Sequence, residues 1–398
     1  MNEKIRVTIG LSTENDPIKA VKEAVQQIKT SLIKEKPHLA FVFSSIEFAT
    51  PIIAKTVYNH LDNIPVLGCS GAGIISSQGI FKKGIIILCV ILPSSISFNA
   101  ALTREIRTKT TLNSGEELGE KLLRGFKGIR RDLGIFFLDG MLTDSSNFIF
   151  GLQERLGTSF PLIGASSSDN LKSLQTFVYS NEESMSDAAC GAIFGGKINF
   201  GWGINHGWKP LGKPRYITKA ENNIIYEIDN YPAAKVYEEY MALNLNELKK
   251  QLKRISIFYP IGINLEGEEE YILRNIHSIG DDGSLIVQGN VPTNSLVRLM
   301  IGTKESCLQA TSLALNEAKK NLIGKDISFI LVFDSVSRAI LLGRDPHKEV
   351  EIINKELGNS VPIAGVYTYG EHAPLSAIDY HGKTYFHNQT ITILGVEG

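Results

Sequence analysis

The chain has 398 residues, which is long for a single hydrophobic core, so two domains are the expectation. Hydrophobic residues make up 43% and charged residues 21% of the sequence, which is typical of a globular protein. The net charge of −1 excludes a strongly basic protein and predicts no nucleic-acid or anionic-membrane partner. The 36 glycines are roughly nine per cent of the chain, against about seven in an average protein.

The four cysteines lie far apart in the sequence. Cys69, Cys89, Cys190 and Cys307 form no CxxC motif and no Cys/His cluster, which excludes a zinc knuckle and a c-type haem attachment site. Four cysteines are also few for a disulfide scaffold, which favours a reducing cytoplasm. The N-terminal residues lack the apolar core of a signal peptide, and the longest apolar run, residues 85–92, is far short of the ~20 residues of a membrane span. We therefore expect a cytoplasmic protein with no membrane partner.

Helix and strand patterns alternate along the first half of the chain. Asp16 and Pro17 predict the N-cap and first residue of a helix, and Thr50 and Pro51 predict the start of another. A further amphipathic helix is predicted over 115–126. Continuous apolar segments predict buried strands, and they occupy residues 39–43, 84–93 and 133–138. This alternation indicates an α/β fold with some parallel strand pairs.

From residue 191 the hydrophobic period changes to two. Apolar residues alternate with others over 191–206, around Gly195 and Gly196, and this pattern predicts an antiparallel hairpin. A second alternating segment, residues 385–396, predicts one strand at the end of the chain.

A change in composition predicts the domain boundary. A charged, irregular stretch covers residues 209–230, and a helix beginning at Pro232 opens a second region. We place the boundary near Asn230, which gives domains of 1–229 and 230–398.

Three twelve-residue segments align without gaps, at residues 63–74, 159–170 and 360–371. Each has proline at the third place, glycine at the sixth and a polar or glycine-rich tail, and each follows an apolar strand and an amphipathic helix. The pattern predicts an α/β fold of repeated βαβ units with mixed sheets. The tails then fall at the carboxyl ends of strands, where open α/β sheets bind ligands.

The tails supply most of the candidate binding residues, and we expect the second and third tails to line a pocket more than the first. Arg338 follows a predicted strand, and its guanidinium suits a ligand carboxylate; an ion pair with Asp334 or Glu371 is the alternative. Ordinary helix-to-strand connections are the alternative for the tails. The ligand-binding candidates are Ser70, Ser166, Ser168, Asp169, Arg338, Tyr369 and Glu371.

Several segments, in this order, resemble the FIST family of sensory proteins. The resemblance implies a FIST N-terminal ligand-sensing domain and a FIST C-terminal domain, which together form an input module for signal transduction. It also implies a separate partner protein, a histidine kinase or a cyclic-dinucleotide enzyme. The segments are LDGMLTD (138–144), PLIGASSSDN (161–170), GWKPLG (207–212), YPAAKVYEEYM (231–241), FDSVSRAILLG (333–343), VPIAGVYTYGEHAP (361–374) and HNQTITIL (387–394).

A stand-alone subgroup of this family is described as haem-binding nitric oxide sensors that regulate a histidine kinase. The resemblance implies the same gas ligand and haem b as cofactor, which needs an apolar cleft and an axial ligand. His206 and His372 are the alternative axial candidates, and a histidine satisfied within the protein or on a solvent-facing loop is the other interpretation. The sequence departs from the family at Ser335, where cysteine is common. The alternative function is a sensor of a small amino-acid-like metabolite, whose ammonium group Asp169 and Glu371 suit.

Catalytic motifs are weak in this sequence. Ser70, in GCSGAG (68–73), does not occupy the central position of a nucleophile elbow, and Cys69 has no evident basic neighbour. P-loop and dinucleotide-binding motifs are absent from the sequence. We therefore predict no enzymatic activity, with chemistry at Cys69 or Ser70 as the alternative.

Overall fold

The computed structural model describes residues 4–32, 35–126, 128–264, 270–322, 326–375 and 382–398. In this part of the chain three units of one design follow each other, and a further unit is inserted in the third. Each of the three has the order strand, helix, strand, helix, strand, hairpin, strand, with a pair of helices at the second helical place of the third unit. The predicted α/β fold with repeated βαβ units and mixed sheets is confirmed.

The elements are as follows. The first unit contains β1 (Arg6–Ser12), α1 (Pro17–Ser31), β2 (Leu39–Ser45), α2 (Ile53–His60), β3 (Val66–Gly71), β4 (Ile74–Ser76), β5 (Gly79–Phe81) and β6 (Ile85–Ile91). The second contains β7 (Ser97–Arg104), α3 (Thr111–Leu123), β8 (Arg131–Leu138), α4 (Ser145–Leu156), β9 (Leu162–Ser166), β10 (Val178–Ser180), β11 (Glu183–Met185) and β12 (Ala188–Gly195).

The third unit begins with β13 (Phe200–Asn205). The inserted unit, residues 208–302, contains β14 (Trp208–Glu221), β15 (Ile224–Ile228), β16 (Tyr231–Pro232), α5 (Lys235–Met241), α6 (Leu245–Phe258), β17 (Ile261–Asn264), β18 (Tyr271–Arg274), β19 (Ile276–Ile279), β20 (Leu285–Val287) and β21 (Leu296–Gly302). The third unit resumes with α7 (Lys304–Lys320), β22 (Ile327–Ser335), α8 (Val336–Leu342), α9 (His347–Leu357), β23 (Ile363–Thr368), β24 (Gly370–Pro374), β25 (Thr384–His387) and β26 (Ile391–Glu397).

Each unit builds four strands of a mixed sheet, and a hairpin from another unit completes that sheet. The strand orders within the three units are β1-β6-β2-β3, β7-β12-β8-β9 and β13-β26-β22-β23. The last two strands of each order form the parallel pair. Hairpin β10–β11 extends the first sheet at β3, β24–β25 extends the second at β9, and β4–β5 extends the third at β23. The exchange is therefore cyclic.

The inner faces of the three sheets pack together around a pseudo-threefold axis. Phe43 of β2, Phe137 of β8 and Phe333 of β22 meet edge to face, with ring centroids 5.6–6.0 Å apart. Ala40 and Val42 alternate with these inward residues and pack against α1 and α2 on the outer face. Alternation along each strand thus divides its side chains between the central core and an outer helical layer.

Two strand predictions are wrong. The segment over 191–206 is not a hairpin, because β12 pairs with β7 and β8 whereas β13 pairs with β26 in another sheet. The segment over 385–396 is two strands: β25 pairs with β24, and β26 pairs with β13 and β22. In both places the chain passes from one sheet to the next, and a hydrophobic period of two looks the same on either side of the crossing. The second helix also begins later than predicted, at Ile53.

The inserted unit is a sheet in the order β18-β17-β21-β14-β15-β20-β19, with β16 paired to β15 and a core shared with α5 and α6. Asn230 lies between the paired strands β15 and β16, and the domain boundary placed there stays a prediction. In the described ranges the helices are all too short or too polar to cross a bilayer.

Candidate functional site

A cleft of about 570 Å³ separates the inserted unit from the second and third units, and we call it the interdomain cleft. Its core side is formed by four segments that follow parallel strands, residues 140–143, 171–173, 335–337 and 368–369. Its other side is formed by α6, β19 and β20 of the inserted unit. The two sides of the cleft therefore come from elements that are distant in the sequence and that tertiary packing brings together.

Asp169 shapes the loop that enters the cleft from the core side. Its carboxylate accepts the backbone N–H groups of Lys172, Ser173 and Leu174 at 3.0, 3.1 and 2.9 Å, and it also accepts the hydroxyl of Tyr369. Burial opposes the charge, but these bonds outweigh it and lower the pKa of Asp169. Ser173 has a φ of 52°, a left-handed conformation that these bonds help to stabilise.

Helix α6 brings positive charge to the cleft. Asn244 and Glu247 form a capping box that starts the helix, and its lysines then project beside the core loop. The Lys253 ammonium donates to the carbonyl oxygen of Leu171 at 2.8 Å, which joins the two sides. The lining lysines are Lys172, Lys249, Lys250 and Lys253.

The three tails meet near the pseudo-threefold axis, where they bond to one another. Ser168 Oγ accepts the N–H of Ala72 at 2.9 Å and donates to the carbonyl of Tyr367 at 2.6 Å, and the Ser168 N–H donates to Ser70 O at 3.0 Å. Ser70 Oγ accepts the N–H of Phe177. These serine hydroxyls hold backbone together in the interior and do not line the cleft.

Among the seven predicted ligand-binding residues, the structure places Tyr369 alone on the lining of the cleft. Glu371 is fully buried and accepts hydroxyl groups from Thr368 at 2.6 Å and Thr390 at 2.7 Å. Burial raises the pKa of Glu371 to about 7, although these hydrogen bonds act in the opposite direction. The ligand contacts proposed for the six interior residues stay predictions, and the geometry gives them internal partners.

Arg338 is fully buried, and its donors are engaged within the protein. Nε donates to Asp334 at 2.7 Å, Nη2 donates to Glu349 at 2.5 Å, and Nη1 donates to the carbonyl of His206 at 2.8 Å. Of the two ion-pair partners considered from the sequence, the structure brings Asp334 to Arg338, whereas Glu371 binds threonines. The second acidic partner is Glu349, on α9.

The two predicted axial histidines also lie away from the cleft. The His372 ring stacks on Phe136 at 4.7 Å, and its Nε2 lies 3.0 Å from Ser166 Oγ. Burial, followed by the neighbouring His387, lowers the pKa of His372 to about 3. His206 Nδ1 accepts the backbone N–H of Trp208, and burial together with Arg338 lowers the pKa of His206 to about 4.

Sequence reasoning missed the inserted unit's side of the cleft. His277 of β19 is exposed on the lining of the cleft, although nothing near it in the sequence resembles a site. The lysines of α6 are equally ordinary on an amphipathic helix, and only the fold brings them to the polar tails. Within the described ranges, no three His, Cys, Asp or Glu side chains are placed to hold a metal ion together.

The family model of the FIST N domain matches residues 38–231, and that of the FIST C domain matches residues 233–374. The chain belongs to the FIST family, whose domains are associated with sensory signalling.

The relatives are distant. Uncharacterized protein MJ1623 of Methanocaldococcus jannaschii is 25% identical over 262 residues, 60% of this chain and 48% of that protein, so the chain spans about half its length. Uncharacterized protein Rv0628c of Mycobacterium tuberculosis is 21% identical over 96% of this chain and 98% of its own. Among solved structures, a cyanuric acid hydrolase covers 100% of both chains at 7% identity and a TM-score of 0.38, values that support no inference about this chain.

Proposed function

We propose that this protein is a sensor that takes up a small-molecule ligand in the interdomain cleft. The observation that carries the proposal is the composition of the cleft, whose two sides come from separately packed units. A ligand there contacts both units, so its binding stabilises one arrangement of the inserted unit against the core.

We further propose that the bound state is reported to a partner protein in the cytoplasm, a histidine kinase or a cyclic-dinucleotide enzyme. The association of FIST domains with sensory signalling supports this assignment. The burial of the two candidate nucleophiles, Cys69 and Ser70, supports a role in sensing rather than catalysis. Burial raises the pKa of the Cys69 thiol, and Ser70 is fully buried in backbone contacts.

The proposal is tested by obstructing the cleft. Thr143 is an exposed lining residue, so Thr143→Trp fills the cleft without entering the core, and Thr13→Trp places the same indole at an exposed position of the first unit. Each protein is incubated with a small-molecule cell extract and weighed by native mass spectrometry. We expect a ligand adduct in the parent protein and in Thr13→Trp that is lost in Thr143→Trp. An adduct that persists in Thr143→Trp, or that is missing from the parent, contradicts the proposal.

One observation favours a second candidate, a haem-based nitric oxide sensor that regulates a histidine kinase. His277 lies exposed on the cleft, next to Ile276 in β19, and Ile286 of the paired strand β20 also belongs to the lining. His206 and His372 do not belong to the lining of the cleft, and the His372 ring is buried against Phe136 and Ser166. In the cleft, the His277 imidazole would hold the haem iron and the lysines of α6 would bind the propionates. Bound haem would supply the iron that takes the gas ligand.

Reconstitution with haemin tests this candidate. We expect a Soret band in the parent protein that shifts on exposure to nitric oxide. His277→Ala should remove the band, whereas His347→Ala, at an exposed position on α9, should retain it. A parent protein without a Soret band, or an unchanged band in His277→Ala, contradicts the haem assignment.

A further inference from the structure

The charged side chains that line the interdomain cleft are all basic. Four lysines and His277 line it, and none of its lining residues, all within the described ranges, is aspartate or glutamate. The chain as a whole has 41 basic and 42 acidic residues, so this imbalance is local. A concave surface lined by one sign of charge concentrates ions of the opposite sign.

The lysines are only partly neutralised by the protein. Lys249 pairs with Asp281 at 2.6 Å, but the Asp281 side chain is fully exposed, and such an ion pair contributes little. Lys253 donates to a neutral carbonyl oxygen, that of Leu171. Lys172 and Lys250 have no acidic partner among the described residues. The ammonium groups are therefore available to an incoming anion.

The acidic residue Asp169 binds the backbone of the core loop, residues 171–173. It is 2% exposed, and both carboxylate oxygens already accept hydrogen bonds, from three backbone N–H groups and from Tyr369. Its charge is directed into the loop rather than into the cleft. It orders the loop that places Lys172 near the Lys253 contact, and so it contributes to the cationic side.

The cleft also has an apolar part. Leu252 and Ile276 of the inserted unit and Val336 of the core belong to its lining, and Thr368 and Tyr369 add hydroxyl groups. A volume of about 570 Å³ lies within the range of about 300–1,000 Å³ found for small-molecule sites. The lining therefore suits a molecule with a charged head and an apolar body rather than a bare ion.

We infer that the interdomain cleft binds an organic anion with two or more negative charges, carried by phosphate or carboxylate groups, on an apolar body. This inference rests on the proposed function and specifies its ligand class. Lys253 and Lys172 bind the anionic head from opposite sides of the cleft. The Lys253 ammonium exchanges its neutral carbonyl partner for the anion, so binding replaces a direct contact between the units with one through the ligand.

Calorimetric titration with pyrophosphate and citrate tests the anionic subsite. We expect either probe to bind the parent protein, and the tighter of the two distinguishes a phosphate from a carboxylate head. Lys253→Met and Lys172→Met should each weaken binding about tenfold, because a charge-assisted hydrogen bond is lost. Lys22→Met and Lys55→Met, at exposed positions on α1 and α2, should leave it unchanged. No binding to the parent, or equal binding by all four variants, overturns the inference.

The native-mass experiment separates this failure from failure of the proposed function. An adduct lost in Thr143→Trp and also in the double variant Lys172→Met/Lys253→Met supports an anionic ligand. An adduct lost in Thr143→Trp but retained in the lysine double variant leaves the sensor in place and overturns the anionic ligand.

Discussion

Replacing Arg338 with methionine isolates the effect of the buried ion pairs. Methionine keeps much of the aliphatic stem and removes the guanidinium, which is fully buried between Asp334 and Glu349. Two carboxyl groups then lose their cation, and the carbonyl of His206 loses a donor. Removing one partner of a buried pair destabilises a protein by about 3–5 kcal/mol. We expect a loss of about that size, a large fraction of the roughly 5–15 kcal/mol that stabilises typical proteins.

The loss should depend on pH, because the remaining Asp334 carboxyl group can take up a proton. Burial, reinforced by the nearby Glu349, already holds the pKa of Asp334 well above its ordinary value. A carboxyl group whose folded pKa exceeds its unfolded pKa binds protons more tightly when folded, so it destabilises the fold as pH rises above about 4. Arg338 acts against this shift, so without it the pKa of Asp334 rises further. Arg338→Met should therefore lose more stability at pH 8 than at pH 5.

Urea unfolding followed by tryptophan fluorescence measures both effects. The control is the triple variant Asp334→Asn/Arg338→Met/Glu349→Gln, in which no buried charge is left without a partner. We expect the triple variant to be more stable than Arg338→Met at pH 8. A loss below about 1 kcal/mol, or equal losses at both pH values, would refute the reasoning.

Two further predictions concern the packing of the central core and the titration of the buried Glu371. Phe137→Ala should lower the free energy of unfolding by about 3–5 kcal/mol, because it leaves a cavity where three sheets meet. Phe150→Ala, at a side chain that is 44% exposed, is the matched control. Equal losses of stability in urea unfolding would argue against a shared core. Glu371 has a folded pKa of about 7, above its unfolded value, so it destabilises the fold increasingly from about pH 4 to pH 7. Glu371→Gln should remove that dependence, on the order of 3 kcal/mol, and unchanged pH profiles of the urea midpoint would contradict the shifted pKa.

The repeated units could be predicted because their signals are local. An apolar strand, an amphipathic helix and a Pro-x-x-Gly segment predict each parallel strand pair. Helix α1 begins at Pro17 with Asp16 as its N-cap, as expected. The tails also fall at strand ends, as their order in the sequence requires. The exchanged hairpins were missed because hairpin β24–β25 has the same hydrophobic period whether it pairs with its own unit or with β9.

The candidate site was harder to predict because it depends on long-range packing. Asp334 lies four residues before Arg338, so the sequence suggests it as a partner, whereas Glu349 is on a separate helix, α9. Arg338 was also considered as a ligand contact, because sequence alone does not show that a charged side chain is enclosed. The cationic side of the cleft comes from an inserted unit whose position against the tails has no local signal.

The cyclic exchange of hairpins has a consequence for how the chain acquires its structure. Each sheet ends in strands donated by another unit, so a nascent first unit emerging from the ribosome pairs β3 with β2 but leaves its other edge open until β10 has been made. The first sheet is completed by the second unit, and the second sheet must wait for β24 of the third unit. Contacts of such long sequence separation slow folding. A protein cut between its two FIST domains would yield fragments with open sheet edges, which are prone to aggregation, rather than two independently stable halves.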